Sequence, residues 1–372
     1  MARSILISAG EASGDLYAAE LARRLAGNTN LFGCTGPRMR AAGVETVVDA
    51  ASLAVVGLVE VTRHIPSIYK QYRKLVTEAR RRRPDVAILT DSPDFHLRVA
   101  SNLHRDGIPV VYLVAPQVWA WRPGRIKMMR RVIHRLLCIF PFEEAYFRDR
   151  GLNATYIGHP LATLIRPQFT REEFFRKHRL AQGRPVVTVL PGSRRGEAAR
   201  HLAGLLDAVD RLNRDQAANF LLPASATAGA AFFQERIGGA PVKVIEGETW
   251  DAIAHADVAL AASGTVTIEA ALLGTPMVTF YKVTSLSWLM GKALVRVPYY
   301  CMVNLVAERK VVPELMQSEM TGARLAEEAR RLLSDSGERA RMKAGLAEVA
   351  ARLTTGGDAL DRAAAVVASM RQ

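Results

Sequence analysis

The chain has 372 residues, a length that suits two domains better than one hydrophobic core. Hydrophobic residues make up 49% and charged residues 23%, as in a soluble globular protein, and no apolar run approaches the length of a membrane-spanning helix. The three cysteines lie far apart, without Cys-x-x-Cys or zinc spacing, so neither a disulfide framework nor a metal site is expected. The formal net charge of +14 predicts anionic partners: nucleic acid, an anionic membrane or phosphorylated small molecules.

In the first half of the chain, short apolar runs alternate with helical patterns. The apolar run at residues 5–9 is interrupted by Glu11, so it reads as a first strand and not as a signal peptide. A helix is predicted from about Gly14 to Ala26, and Pro93 opens another. Strands are predicted at 4–9, 84–90, 109–114 and 135–140. Such alternation predicts a parallel sheet with crossover helices.

The alternation restarts after a change in composition between residues 158 and 168. Further strands are predicted at 186–190, 219–222, 242–245, 258–262 and 277–281, and a helical tail follows. We therefore predict an α/β protein of two tandem doubly wound Rossmann-like domains, 1–160 and 161–345, with a tail at 346–372 that packs back on the first domain. Ligands of such sheets bind beyond the carboxyl ends of the strands, so the two domains are expected to face a central cleft.

The first strand leads into the polar loop Gly10-Glu-Ala-Ser-Gly-Asp15. Ser13 and Asp15 both suit a helix N-cap, which would explain one of them and not the whole set. The functional interpretation is a substrate-lining loop, in which Ser13 and Gly14 meet an acceptor and Glu11 and Asp15 are secondary candidates for a catalytic base.

The strand at 84–90 ends at Asp91-Ser-Pro-Asp-Phe95, which puts Asp91 where a catalytic carboxylate would lie. The alternative is that Asp91 or Ser92 only caps the helix that Pro93 opens. The next strand leads into a Pro-rich loop with Trp119 and Trp121. Such tryptophans pack in the core or at its rim, but at the edge of a cleft they can also seat a sugar or an acyl chain.

Two regions account for much of the positive charge. One contains Arg122, Arg125, Lys127, Arg130, Arg131 and Arg135 without an acidic residue. The other, at 63–83, combines Lys70, Arg73, Lys74 and Arg80–Arg83 with an apolar stripe of Ile65, Ile68, Tyr69, Tyr72, Leu75 and Val76. This spacing is typical of a core-facing helix, and the functional alternative is an interfacial helix on anionic lipid. RNA is disfavoured because no nucleic-acid motif accompanies the charge.

Two strand-turn-helix motifs of the second half are typical of phosphate binding. In the first, strand 186–190 runs into a turn with Gly192, Ser193 and Arg194, where the arginine offers a guanidinium fork. In the second, strand 258–262 runs into Ser263-Gly264-Thr265, and Glu269 lies about one turn into the following helix, within reach of a ribose. Helix N-termini attract phosphate, so two such turns predict a nucleotide-diphosphate site.

These segments together resemble the bacterial lipid A disaccharide synthase family of inverting GT-B glycosyltransferases. The matching segments are Gly10-Glu-Ala-Ser-Gly-Asp15, Asp91-Ser-Pro-Asp-Phe95, Ala115-Pro-Gln-Val-Trp-Ala-Trp-Arg-Pro-Gly-Arg125, Leu190-Pro-Gly-Ser-Arg194, Ser263-Gly-Thr-Val-Thr-Ile-Glu269, Asn304-Leu-Val-Ala and Val312-Pro-Glu-Leu-Met-Gln317. They occur in order through nearly the whole chain. Departures are His96, where the family usually has Asn, and Met302-Val303 before Asn304, where a Pro is expected.

The resemblance implies UDP-2,3-diacylglucosamine as donor, 2,3-diacylglucosamine 1-phosphate as acceptor, and a β-1,6-linked tetraacyl disaccharide 1-phosphate with UDP as products. It implies Asp91 as the base that deprotonates the acceptor hydroxyl, and it adds Asn304 and Gln317 to the donor site. No cofactor and no metal are expected, because Arg194 and the helix N-termini take the charge of the leaving diphosphate.

The implied location is the cytoplasmic face of the inner membrane, bound peripherally at its anionic surface, and a homodimer is compatible with the family. The acceptor and membrane contacts are expected from Ser13, Gly14, Trp119 and the stripe with Ile65, Ile68, Tyr69 and Tyr72. Three alternatives remain open: another GT-B enzyme on a lipid-linked acceptor, a UDP-N-acetylglucosamine 2-epimerase, and an RNA-binding α/β protein. The basic apolar stretch argues against the epimerase, and the carboxylates at two strand ends argue against the RNA-binding protein.

Overall fold

A computed structural model describes residues 3–27, 29–53, 58–284, 288–289, 295 and 297–370, and the side chains of 58–65 lie outside that description. The chain divides into two compact units. The first contains Met1–Thr163 together with Leu353–Gln372, and the second contains Leu164–Arg352.

The first unit is an α/β sandwich in which parallel strands alternate with helices. Its strands are β1 Arg3–Ser8, β2 Thr29–Thr35, β3 Glu45–Asp49, β4 Val86–Thr90, β5 Val110–Leu113, β6 Arg135–Cys138 and β7 Ala154–Tyr156. Its helices before the boundary are α1 Ala12–Leu25, α2 Pro37–Ala41, α3 Leu58–Arg82, α4 Pro93–Arg105, α5 Val118–Trp121, α6 Ile126–Val132, α7 Pro141–Arg148 and α8 Leu161–Leu164. Apart from the edge strands β3 and β7, the strands are almost continuously buried, as expected for a sheet covered on both faces.

The second unit repeats this alternation. Its strands are β8 Val186–Leu190, β9 Asn219–Ala224, β10 Val242–Glu246, β11 Val258–Ala262, β12 Met277–Tyr281 and β13 Glu314–Met316. Its helices are α9 Arg171–His178, α10 Arg195–Asp215, α11 Ala230–Ile237, α12 Thr249–Ala254, α13 Thr265–Leu272, α14 Met302–Ala307, α15 Gly322–Ser334 and α16 Ser336–Leu353. The chain then returns to the first unit, where α17 Ala359–Ser369 packs against α1.

Strand order locates the two ligand-binding edges. Over the described residues, the first sheet has the order β3-β2-β1-β4-β5-β6-β7 and the second the order β10-β9-β8-β11-β12-β13, and the paired strands are parallel. The order reverses between β1 and β4 and again between β8 and β11. In open α/β sheets, ligands bind at the carboxyl ends of the strands at such a reversal. The polar loop at 10–15 follows β1, the Asp91 loop follows β4, and the two predicted phosphate turns follow β8 and β11.

The predicted two-domain α/β fold is confirmed. The predicted strands at 186–190, 258–262 and 277–281 match β8, β11 and β12 residue for residue, and the other predicted strands differ by one or two residues at an end. Four strands were missed, namely β2, β3, β7 and β13. Of these, β3 and β13 are only part-buried edge strands and β7 has three residues, so their apolar pattern is weak.

The apolar stripe of α3 belongs mainly to the core, which corrects the prediction of an interfacial face. Leu75 is completely buried and Val76 nearly so, while Ile68 and Tyr72 pack against the hydrophobic core of the first unit. Because α3 lies on the sheet, its period-3.6 apolar face points toward the strands. Tyr69 is different, with 56% of its surface exposed. The predicted contact at Ile65 concerns a side chain outside the described residues.

Candidate active site

The carboxylate of Asp91 lies at the strand reversal of the first sheet. Its Oδ1 accepts a hydrogen bond from the backbone N–H of Gly10 at 2.8 Å, and its Oδ2 accepts one from Glu11 at 3.0 Å. The loop after β1 therefore holds the side chain that follows β4. This arrangement brings Asp91 together with the backbone of Glu11, another residue named as a candidate base.

Two glycines of the loop after β1 leave the space that this carboxylate occupies. A Cβ built on Gly14 would overlap the carboxylate of Asp91, and a Cβ built on Gly10 would overlap the side chain of Ser92. Gly14 is buried on the first turn of α1, next to half-buried Ser13. At Gly14, where an acceptor contact was predicted, the structure shows a close contact with the side chain of Asp91.

The backbone at the end of β4 is held in a sparsely populated conformation. Asp91 and Ser92 have φ values of +52° and +37°, and Val114, at the end of β5, has φ +66°. Positive φ is rare outside glycine, is strained for a β-branched residue, and is concentrated at functional sites. Sequence reasoning missed Val114, because no composition signal marks such strain in advance.

Two buried side chains secure the carbonyl oxygen of Asp91. The Tyr112 hydroxyl donates to it at 2.6 Å, and His96 Nδ1 lies 3.0 Å from it. Since a carbonyl only accepts, Nδ1 carries the proton, and His96 Nε2 accepts from the Ser8 hydroxyl at 2.7 Å. Burial lowers the pKa of His96 to about 4, so the ring is neutral at pH 7. His96 therefore links the ends of β1 and β4.

Burial also changes the proton affinity of Asp91. The pKa of its carboxyl group is raised to about 7, mainly because burial disfavours the charged form. The two backbone N–H groups that bond to the carboxylate act in the opposite direction, and the negative charge of Glu11 adds to the rise. A carboxylate with a pKa near the working pH is well matched to accept a proton from a substrate hydroxyl. Perturbed carboxylates of this kind are concentrated at catalytic sites.

Asp15 has a structural role that argues against it as a base. Its side chain is 3% exposed, and its oxygens accept the backbone N–H groups of Gly36, Arg38 and Met39 at 2.9 to 3.1 Å. These are donors at the N-terminus of α2, so Asp15 caps that helix. The interpretation of Asp15 as a cap of the helix after the loop was wrong, because Asp15 lies within α1 and its carboxylate caps α2.

Trp119 is packed into the first unit by a buried acid. Its indole nitrogen donates to Glu143 Oε1 at 3.0 Å, and its ring stands edge-on to Phe142 at 5.0 Å between centroids. Glu143 is completely buried, and desolvation raises the pKa of its carboxyl group to about 7. The exposed tryptophan of the loop is Trp121, whose ring lies under the Arg122 guanidinium at 4.0 Å.

In the second unit, the turn after β8 presents Ser193 and Arg194 to solvent at the start of α10. Gly192 has φ +113°, in the region that favours glycine, and a Cβ there would lie 2.7 Å from the Glu197 carboxyl carbon. Ser225 donates its hydroxyl to the Ser193 carbonyl at 2.9 Å. The turn thus has a defined shape, with its arginine on the exposed side.

A buried histidine joins this turn to the end of β12. His201 Nδ1 donates to the Pro191 carbonyl at 2.8 Å, and Nε2 accepts the Lys282 N–H at 3.0 Å. Desolvation lowers the pKa of His201, which favours this neutral form. Tyr281 beside it bonds to Glu197, and its burial raises the pKa of the phenol to about 12. Nothing in the sequence indicated the roles of His201 and Glu197, because a single polar residue on a helix forms no motif.

The second turn lies at the N-terminus of α13. Gly264 and Thr265 are exposed, and a Cβ on Gly264 would meet no atom within 4 Å. The hydroxyl of Ser263 donates to the Tyr300 carbonyl at 3.1 Å, so this side chain fixes a neighbouring segment. Glu269 is half-buried one turn into the helix. The structure therefore puts both predicted turns at adjacent strand ends.

Asn304 is a structural residue, which corrects its predicted position lining the donor site. It is completely buried; its nitrogen donates to Val312 O at 2.9 Å and Glu314 Oε1 at 2.8 Å, and its oxygen accepts from the N–H groups of Val311 and Val312. Glu314 in turn accepts the N–H of Tyr300 at 3.0 Å. Through Glu314, Asn304 thereby supports the backbone at Tyr300, whose carbonyl oxygen accepts the hydrogen bond from Ser263.

Gln317 is half-buried after β13, with φ +53°. Its side-chain oxygen accepts the N–H of Val283 at 3.3 Å, which ties it to the segment after β12. Among the residues that the structure describes, no group of three or more His, Cys, Asp or Glu side chains is arranged to hold a metal ion. Within the same residues, no helix is both long and apolar enough to cross a membrane.

Comparison with known sequences gives consistent matches over nearly the whole chain. A profile of the lipid-A-disaccharide synthetase family matches residues 5–365. A lipid-A-disaccharide synthase of Solibacter usitatus is 67% identical over 366 residues, covering 98% of this chain and 96% of that protein. A second, from Koribacter versatilis, is 44% identical and covers 99% of this chain and 98% of that protein.

Comparison with solved structures gives the same fold at low sequence identity. A glycotransferase of kitacinnamycin aligns with a TM-score of 0.65 at 16% identity, covering 100% of this chain and 99% of that one. A UDP-GlcNAc 2-epimerase of Neisseria meningitidis, bound to UDP-GlcNAc, aligns with a TM-score of 0.62 at 12% identity, covering 94% and 97%. At these identities the likeness concerns the fold alone, and it includes both transferases and epimerases.

Proposed function

The chain belongs to the lipid-A-disaccharide synthase family, a GT-B glycosyltransferase family of lipid A biosynthesis, and on that premise we propose how its residues divide the work of the reaction. The substrates are a UDP-sugar and a sugar phosphate. We take the donor to be UDP-2,3-diacylglucosamine and the acceptor 2,3-diacylglucosamine 1-phosphate, so that the product is a β-1,6-linked tetraacyl disaccharide 1-phosphate.

The observation that carries this proposal is the setting of Asp91. Its carboxylate lies at the strand reversal, is oriented by two backbone N–H groups and has a pKa near 7. In the proposed reaction, Asp91 removes the proton of the acceptor 6-hydroxyl as its oxygen bonds to the anomeric carbon of the donor. The bond between that carbon and the UDP oxygen breaks on the opposite side, which inverts the configuration. Asp91 then releases its proton to solvent.

The second unit would bind the donor and stabilise the leaving UDP. The exposed guanidinium of Arg194, the turn with Gly192 and Ser193, and the backbone at Gly264 and Thr265 are the groups proposed for the diphosphate. The N-termini of α10 and α13 would add their positive ends. Because UDP departs with additional negative charge, such fixed donors lower the barrier of the transfer step.

The nucleoside and the sugar would be held nearby. Glu269 is proposed for the ribose and Gln317 for the UDP-sugar, since both are half-buried at the carboxyl edge of the second sheet. Asn304 acts through the segment that it supports and does not contact the ligand. In the first unit, Glu11 is exposed and Ser13 half-buried at the same edge as Asp91, which suits contacts with the acceptor sugar.

Peripheral contact with an anionic membrane is part of the proposal. Both proposed substrates combine acyl chains, which stay in a bilayer, with charged phosphate headgroups that face water, so we place the reaction at the inner face of the inner membrane. Tyr69 is exposed on α3 beside exposed Lys70, Arg73 and Lys74, a combination that suits the headgroup region. The buried members of the stripe are excluded from this contact.

The direct test is mass spectrometry of the products formed from the two acylated substrates. We expect a tetraacyl disaccharide 1-phosphate together with UDP, in equal amounts. An epimerase would instead convert UDP-N-acetylglucosamine to its 2-epimer without any acceptor, and that product would reject the transferase assignment. A different disaccharide from another lipid-linked acceptor would retain the transferase class and change the substrate.

A further inference from the structure

Two arginines and one aspartate form a charged cluster next to the Asp91 loop. Arg122 Nη1 lies 3.2 Å from Asp94 Oδ1, and Arg125 Nη2 bonds to the same oxygen. Arg122 also stacks on the ring of Trp121 at 4.0 Å, which fixes the plane of its guanidinium. We call Arg122 and Arg125 the arginine pair.

The arginine pair has more positive charge and more donors than Asp94 uses. One carboxylate faces two guanidinium groups, which leaves the cluster with a net positive charge. Arg125 Nη1 is buried and has no hydrogen-bond partner among the residues that the structure describes. A buried donor without a partner is costly, so such an atom points to an acceptor beyond the residues that the structure describes.

The cluster lies close to the proposed base. Asp94 follows Asp91 by three residues, in the first turn of α4. Tyr112 bonds to the Asp91 carbonyl at 2.6 Å, and the charges of Asp91, Arg125 and Asp94 all act on its hydroxyl. A small molecule that presents a hydroxyl to Asp91 can therefore present a second group to the arginine pair.

We propose that Arg122 and Arg125 bind the phosphate group of the sugar-phosphate acceptor, and that Asp94 holds their guanidinium groups in place until the phosphate replaces it. The inference rests on the proposed function, because it assigns a subsite for one of its substrates. The site selects an acceptor that carries an anionic group on the opposite side of the sugar from the reacting hydroxyl.

The chemistry of the three groups supports the exchange. A phosphate monoester carries about −1.5 to −2 charges at pH 7 and three strong acceptor oxygens, whereas Asp94 carries one charge. Guanidinium groups match phosphate oxygens in pairs of parallel hydrogen bonds. The Asp94 side chain is 68% exposed, so it can move away, while Arg125, at 20%, stays in position.

The experiment compares two acceptors, 2,3-diacylglucosamine with its 1-phosphate and the same sugar without it. For Arg122→Gln and Arg125→Gln, we expect kcat/KM for the phosphorylated acceptor to fall about 10- to 100-fold, the range for loss of a charge-assisted hydrogen bond. For the dephosphorylated acceptor, we expect both variants to match the unsubstituted enzyme within about twofold. Arg125→Lys, which keeps the charge and loses the fork, should fall between.

An equal loss with both acceptors would overturn the proposal, because the cluster would then only hold the tryptophan loop against α4. No loss with either acceptor would overturn it as well. The matched control is Arg23→Gln, which removes one exposed positive charge from α1 of the same unit. It should leave kcat/KM for both acceptors unchanged.

The remaining measurements identify which phosphate is bound. In both variants, the KM for the UDP-sugar and the affinity for anionic vesicles should stay within about twofold of the unsubstituted enzyme. If the KM for the UDP-sugar rises and the acceptor effect is absent, the arginine pair binds the donor. If vesicle affinity falls and the acceptor effect is absent, the arginine pair binds a lipid headgroup. If the unsubstituted enzyme forms no disaccharide from the phosphorylated acceptor, the proposed function itself fails. If it does, and the variants show no selectivity for that acceptor, only the subsite is rejected.

Discussion

Gly14 lies against the carboxylate of Asp91, where a Cβ would overlap the Oδ2 atom. One residue is on the first turn of α1 and the other directly follows β4, 77 positions further along the chain. Because glycine has no side chain, the carboxylate of the proposed base can lie directly against α1. This contact connects a helix-start motif and a strand-end motif that are separate in the sequence.

The first prediction tests that contact. Gly14→Ala should reduce kcat at least about tenfold, because the added methyl displaces the Asp91 carboxylate, whereas alanine in a helix favours folding by about 0.5–1 kcal/mol. The overlap with the carboxylate costs about 1–3 kcal/mol, which offsets or exceeds that gain, so the thermal midpoint should stay equal or fall by a few degrees. Gly204→Ala on α10 is the matched control, since its Cβ would lie 3.5 Å from the nearest atom; it should leave kcat unchanged and raise the thermal midpoint slightly through the same helix preference. Normal kcat in Gly14→Ala would show that the position of the carboxylate is not critical.

The second prediction concerns Asp91 itself. Asp91→Asn should lower kcat about 10²- to 10⁴-fold, the usual contribution of a general base. UDP affinity, measured by calorimetry, should remain unchanged because the substitution lies in the other unit from the phosphate turns. A variant with near-normal turnover on both native substrates would remove Asp91 from the role of base.

The third prediction is a pH dependence. The base acts only when ionised, and the pKa of Asp91 is raised to about 7, so kcat/KM should increase with pH and level off above that value. Below about pH 6 the slope of log kcat/KM against pH should approach one, since one proton must leave. A profile that is flat from pH 5 to 8 would contradict the assignment of this group.

The fourth prediction distinguishes a support from a ligand contact. Asn304→Ala should destabilise the protein by about 1–3 kcal/mol, because it leaves buried N–H groups of Val311 and Val312 without acceptors. The free energy of unfolding from urea titration measures this, with exposed Asn213→Ala on α10 as control. If stability is unchanged and only UDP affinity falls, Asn304 contacts the donor directly.

The fifth prediction separates the two faces of α3. Leu75→Ala should cost about 2–5 kcal/mol of stability, as for other buried leucines. Tyr69→Ala should change stability by less than about 0.5 kcal/mol and reduce binding to anionic vesicles. Vesicle sedimentation and thermal unfolding of both variants check the pair. Unchanged vesicle binding in Tyr69→Ala would place the membrane contact elsewhere on the protein.

Much of the fold could be predicted because parallel strands buried on both faces appear as short, continuous apolar runs. The strands β8, β11 and β12 are such runs, and their ends were predicted to the residue. The edge strand β3 begins with two exposed residues, so its pattern was not distinguishable from a loop. Helix α3 was predicted correctly, but periodicity alone did not say whether its apolar face meets the core or a membrane.

The sequence by itself determined the alternation of strands and helices, the polar loops at strand ends and the family to which they belong, since these depend on neighbouring residues. Tertiary structure alone decided the roles of individual side chains. Asp15 caps a helix whose donors begin 21 residues later, and Asn304 meets the carboxylate of Glu314 from another element. Such partners are set by packing across the chain, and an isolated polar residue does not reveal whether its hydrogen bonds will go to backbone, to a neighbouring side chain or to a ligand.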